Sequence, residues 1–128
     1  MQNETRKFLR LNDIRAYKTS FHLTNEVWEI VQSWPPFARN TIGKQFVNSV
    51  DSISANIAEG FGRYTKKDKI HFFRYSFGSV MESLDWNEKA KRRNLLNTDQ
   101  YAHIHNTLKT LPKDIHMLIN FINERLRK

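Results

Sequence analysis

Three side chains that could share chemistry stand on one helical stripe: Ser52, Asn56 and Glu59, at steps of four and three. A carboxylate beside an amide can act as a general base when burial raises its pKa. The alternative is structural, with Glu59 pairing with a cation such as Arg74 or Arg63 and pinning the chain after its helix. The second role is favoured, because buried carboxylates persist mainly when paired. No nucleophile, base and orienter stand together, and Gly60-Phe61-Gly62 lacks the rest of any phosphate-binding glycine fingerprint. The chain reads as a non-enzyme.

The five histidines offer no metal chemistry. His103 and His105 are two apart and so fall on different faces of a helix. His22, His71 and His116 stand alone, and no HExxH is present. With no cysteine, disulfides and thiolate sites are excluded, and neither metal nor cofactor is expected.

Basic residues carry a different chemistry. The net charge is +8, and residues 60–93 hold nine Lys/Arg against four Asp/Glu, while residues 13–59 hold four against five. Arg63, Lys66, Lys67 and Lys69 cluster around Phe61 and Tyr64. Cations would contact phosphates and an exposed ring would stack on an unpaired base, a pattern suited to RNA or DNA.

These residues need helices to place them. Ile42, Phe46, Val50, Ile53 and Ile57 recur at steps of four, four, three and four, the seam of an α-helix. The Ser52, Asn56 and Glu59 stripe lies roughly 80° round from it. Gly60 and Gly62 are read as the helix stop, since glycine tolerates the left-handed backbone of a C-cap.

Ser52-Ile53, Asn56-Ile57-Ala58-Glu59-Gly60-Phe61-Gly62-Arg63 and the later Gly78-Ser79 with Glu82 resemble the signature of the four-helix-bundle proteins of bacterial 23S rRNA intervening sequences. The resemblance runs from about Leu11 to the C-terminus. It implies an all-helical basic protein, and a likeness to the accessory subunit of diversity-generating retroelements, a pentameric ring that binds a reverse transcriptase and nucleic acid. Ser52, Asn56, Glu59, Gly60, Gly62, Arg74 and Gly78 are its motif positions here, and it implies no reaction.

In chain order, residues 1–12 lack periodicity and read as a tail or docking segment of one domain spanning residues 1–128. Asn12 or Asp13 is expected to cap a first helix. Ile14, Tyr17, Phe21, Trp28 and Val31 form one apolar stripe on it, and Leu23, Val27, Ile30 and Trp34 a second. Pro35-Pro36 ends it. The second helix is expected from Phe37 or Ala38 to Glu59.

Thr65 should cap a third helix over residues 66–93, with Ile70, Phe73, Phe77, Val80, Met81 and Leu84 as its core seam. Gly78 within it suggests close approach by Ala55 or Ala58 of a neighbouring helix. Asn97 with Gln100 resembles a capping box opening a fourth helix, kinked near Pro112. The fold class is therefore all-α, an antiparallel up-down-up-down four-helix bundle.

Phe72, Tyr75, Ser79 and Trp86 lie opposite the third helix's expected seam, and the second stripe of the first helix presents a similar face. A helix apolar on two sides is usually buried on two sides. Hence a homo-oligomer interface is expected at Phe72, Tyr75, Trp86, Leu23, Val27, Ile30 and Trp34. A tail carrying Phe8, Leu9 and Leu11 is the competing cover for part of one face. No apolar run reaches membrane-spanning length, and the first residues show no secretory apolar region, so a cytoplasmic protein is expected. Its partners would be further copies of itself and nucleic acid, or, in the alternative, proteins only.

Overall fold

The computed structural model describes residues 9–126; Phe8, part of the expected tail, lies outside them. A short 3₁₀ turn, Leu11–Asp13, leads into α1, Arg15–Gln32. Helix α2 is continuous but changes pitch: Pro36–Ala38 opens it, Arg39–Gly43 is a π turn, and Lys44–Gly62 completes it. Helix α3 is Lys66–Arg92 and α4 is Thr98–Arg125.

Each helix packs against the next in chain order, and α4 closes back onto α1. The direction of packing is visible in hydrogen bonds. Ser76 Oγ donates to the Ile53 carbonyl at 2.8 Å, and Ser83 Oγ lies 2.9 Å from Ser49 Oγ. Advancing seven residues along α3 moves four back along α2, so the pair is antiparallel. Short connections at residues 63–65 and 93–97 give the up-down-up-down bundle.

The chain's own punctuation sets the ends. Thr65 Oγ1 accepts from the Asp68 amide, and Asn97 and Gln100 satisfy each other's backbone amides as a capping box. Pro36 sits at the first position of α2, where its missing N–H costs nothing. Helix α1 differs from expectation: neither Asn12 nor Asp13 caps it, because both lie in the preceding 3₁₀ turn and Ile14 is its N-cap. Helix α4 runs through Pro112.

The glycine stop is a correction. Helix α2 continues through both Gly60 and Gly62, and no described glycine has positive φ. Gly60 is buried where α2 packs tightly against α3. A Cβ there would fall 2.8 Å from the Phe73 ring and 2.9 Å from the Lys69 carbonyl oxygen. Gly78, expected at such an approach, has nothing within 4 Å of its would-be Cβ.

The interior seam of α3 is Phe73, Ser76, Val80, Ser83, Asn87 and Ala90, at steps of three and four. Phe77 and Met81, expected on it, are each 42% exposed, and Ile70 and Leu84 are partly buried at its margin. Half of this seam is polar and held by hydrogen bonds to neighbouring helices, including Asn87 Nδ2 to the Tyr101 carbonyl. No helix among the described residues is long and apolar enough to cross a membrane.

Candidate functional site

The connection from α2 to α3 places the basic cluster, and its five residues divide by what holds them. Lys69 Nζ donates to the Phe61 carbonyl at 2.8 Å and sits over the Phe61 ring. It closes one of the orphan carbonyls at the end of α2, where a cation also meets the negative end of the helix dipole. Partial burial pushes its pKa below the ordinary lysine value. Arg63 pairs with Glu59 at 2.8 Å and lies 4.5 Å over the Phe72 ring. Both cations are thus engaged within the chain.

The other three reach solvent to different degrees. Tyr64 is 94% exposed, Lys67 is exposed and Lys66 half-buried. The two lysines stand in the first turn of α3, whose unpaired amides and dipole add positive potential beside them. A free ring flanked by cations has the parts needed to stack on a base and hold its phosphates. Thr65, Lys66, Lys67, Ile70, His71 and Arg74 line an open cavity of about 530 Å³ on this side. His71 and Arg74 were not singled out for binding from sequence, because each is a lone basic residue until α3 brings it into line.

Ser52, Asn56 and Glu59 do not converge on a reaction centre. Ser52 Oγ donates to the Asn48 carbonyl at 2.9 Å, and Asn56 Nδ2 to the Ser52 carbonyl at 2.8 Å. Both polar groups are turned back along their own helix. Glu59 takes Arg63 rather than Arg74 as its partner, and its side chain is half exposed. Such a solvent-exposed pair contributes about 0.2–1 kcal/mol. The geometry is that of a helix-surface ladder ending in an ion pair.

Three histidines meet three different partners: His71 the Tyr75 hydroxyl, His103 the Glu26 carboxylate, and His105 the ring of Tyr101. No group of three metal-ligating side chains occurs among the described residues.

The aromatic face of α3 is real but incomplete. Tyr75 is 51% exposed, and Phe72 and Trp86 are half-buried. Phe72 meets Tyr75 edge-on at 5.6 Å, and Lys89 covers the Trp86 ring at 4.6 Å. The matching face on α1 is not found. Leu23, Val27 and Trp34 are at most 5% exposed and belong to the interior, with Ile30 packed at its edge. Because α1 touches both α2 and α4, its buried arc is wide and runs through Ala16, Ser20 and Thr24 as well. Its outward aromatics are Phe21 and Trp28. The described part of the tail covers neither aromatic face. Leu11 packs on the core, and Leu9 lines a cleft between α1 and α4 with Met117 and Phe121.

These features define a small basic four-helix bundle with a cationic, aromatic connection between α2 and α3. The chain belongs to the 23S rRNA-intervening sequence protein family, whose model matches residues 12–117. A crystal structure of a protein of unknown function from the S23 ribosomal protein family of Bacteroides thetaiotaomicron shares the fold. Its TM-score is 0.73 at 22% identity, over 81% of this chain and 97% of that one. No curated protein matches the sequence.

Proposed function

We propose that this chain is a non-catalytic cytoplasmic accessory protein that self-assembles and engages RNA or DNA through the α2–α3 connection. The observation that carries the nucleic-acid reading is Tyr64, a ring almost wholly in solvent between Arg63 and the Lys66–Lys67 pair. A ring so exposed and set among cations is free to stack on an unpaired base. Lys66 and Lys67 supply the phosphate contacts, whereas Arg63 and Lys69 maintain the loop that presents them.

Assembly is supported by the outer face of α3, where Phe72, Tyr75 and Trp86 form an aromatic surface on one chain. Closed cyclic symmetry is the default for such association, and the resemblance to retroelement accessory proteins implies five copies. The test of the nucleic-acid reading is a salt series with structured and single-stranded RNA and DNA. Log affinity should fall linearly with log salt, and Lys66→Glu with Lys67→Glu should flatten the slope by about two. Salt-insensitive binding, or an unchanged slope in the double variant, would contradict it.

A protein-only scaffold is the second reading. It is favoured by the engagement of Arg63 and Lys69 within the chain, which leaves fewer free cations than the sequence suggests. Absence of binding to every nucleic acid at low salt would select it.

A further inference from the structure

On the side of α3 away from Phe72 and Trp86, α3 and α4 leave a trough. Ile70, Arg74, Phe77 and Met81 follow one another at steps of four, three and four, so they form a straight stripe along α3. Phe77 and Met81 are each 42% exposed, and Tyr75 on the neighbouring turn belongs to the other face. Pro112, His116 and Ile119 of α4 form the opposite wall of a cavity of about 190 Å³ with Arg74 and Phe77. Arg74 also lines the larger cavity beside Lys66, Lys67 and His71, so its side chain borders both cavities.

The charge that lines the two cavities has one sign. Lys66, Lys67 and Arg74 line them with two histidines, and no carboxylate lines either cavity. Arg74 has no carboxylate within 4 Å among the described residues. Apart from Phe77, the apolar lining is aliphatic, through Ile70, Pro112, Ile115 and Ile119, which suits side chains of a protein better than bases that stack on aromatic rings. A stripe at helical spacing in a groove between two helices is the receiving half of helix-in-groove recognition.

We infer that this trough receives an amphipathic helix of a partner protein, with its apolar ridge on Phe77 and Met81 and its acidic flanks on Arg74, Lys66 and Lys67. The guanidinium of Arg74 then meets a carboxylate in a partly dehydrated setting, where charge-assisted hydrogen bonds are strongest. Lys66 and Lys67 serve both this reading and the nucleic-acid reading, whereas Phe77, Met81 and Arg74 play no part at Tyr64, so the test is placed on Phe77 and Arg74.

The test uses the full chain and a labelled helical peptide of about 20 residues. The peptide carries leucines on one face at steps of three and four and glutamates on both flanks. Fluorescence anisotropy at low ionic strength should give a dissociation constant of about 10–100 μM. A lysine-flanked isomer should not bind. Phe77→Glu should weaken binding by about tenfold or more. Arg74→Glu, on an exposed residue, should weaken the acidic peptide and admit the lysine-flanked one. Circular dichroism checks that both variants remain helical, and Arg74→Glu carries the test if Phe77→Glu does not fold. No binding by about 1 mM, equal binding of both peptides, or indifference to Arg74→Glu would overturn the inference. So would a short single-stranded RNA whose affinity falls with Phe77→Glu while the peptide's does not, which would make the trough a nucleic-acid groove.

Discussion

Gly60 and Gly78 both sit in long helices, yet their surroundings predict opposite responses to a methyl group. At Gly60 the added carbon would press on the Phe73 ring and on the Lys69 carbonyl oxygen, at 2.8 and 2.9 Å. The ring could shift, but the carbonyl belongs to the first turns of α3 and moves only with the helix. Gly60→Ala should therefore lower stability by about 1–3 kcal/mol, the usual cost of overpacking. Gly78 meets nothing within 4 Å, so Gly78→Ala should raise stability by about 1 kcal/mol through helix propensity alone. Urea denaturation of the two variants measures both, and equal effects would contradict the packing described for the α2–α3 contact. Lys69 shows the same dependence on tertiary context. Its bond to the Phe61 carbonyl crosses the connection, so its role as a cap emerges only once α3 has docked.

At the scale of the helix, α3 contrasts two phenylalanines that the sequence places on one seam. Phe73 is 1% exposed at the centre of the bundle, while Phe77 is 42% exposed beside the trough. Phe73→Ala should cost about 3–5 kcal/mol, the range for emptying a buried aromatic site. Phe77→Glu should cost clearly less, about 1 kcal/mol, because its ring is only partly buried. Thermal and denaturant melts of each variant check this, and comparable losses would return Phe77 to the core.

The helices themselves were legible because their ends are written in local chemistry. Pro35-Pro36, Thr65 and the Asn97–Gln100 box act through the backbone within a few residues. The inner face of α3 was not legible, because apolar periodicity cannot see Ser76, Ser83 and Asn87 as interior residues. Their hydrogen bonds to Ile53, Ser49 and Tyr101 span other helices. Counting only apolar residues rotated the inferred seam toward Phe77 and Met81. In α1 the same weighting promoted Phe21 and Trp28 and treated Leu23 and Val27 as a second face. At the candidate site, the position of Tyr64 and Lys67 at the surface followed from the loop, but the loss of Arg63 and Lys69 to internal partners did not.

For the whole molecule, three surfaces are the proposed places for partners: the Tyr64 connection, the aromatic face and the trough. They share α3, so their separation rests on its rotation within the bundle. Assembly through the aromatic face gains less than three free aromatics would offer, since Phe72 and Trp86 are already half-buried. At about 25 cal/mol per Å² of apolar area removed from water, even this remainder contributes usefully when several copies close a ring. Association entropy opposes it, so the balance is set by how well the faces fit.

The central claim, that this bundle works as an assembly, is tested most directly by its mass in solution. Light scattering at micromolar concentration should give a defined multiple of the 15.3 kDa chain. Tyr75→Glu with Trp86→Glu should bring that mass down to the single chain while helicity stays unchanged. A parent protein that remains monomeric at high micromolar concentration would contradict the account, as would a double variant that keeps its oligomeric mass.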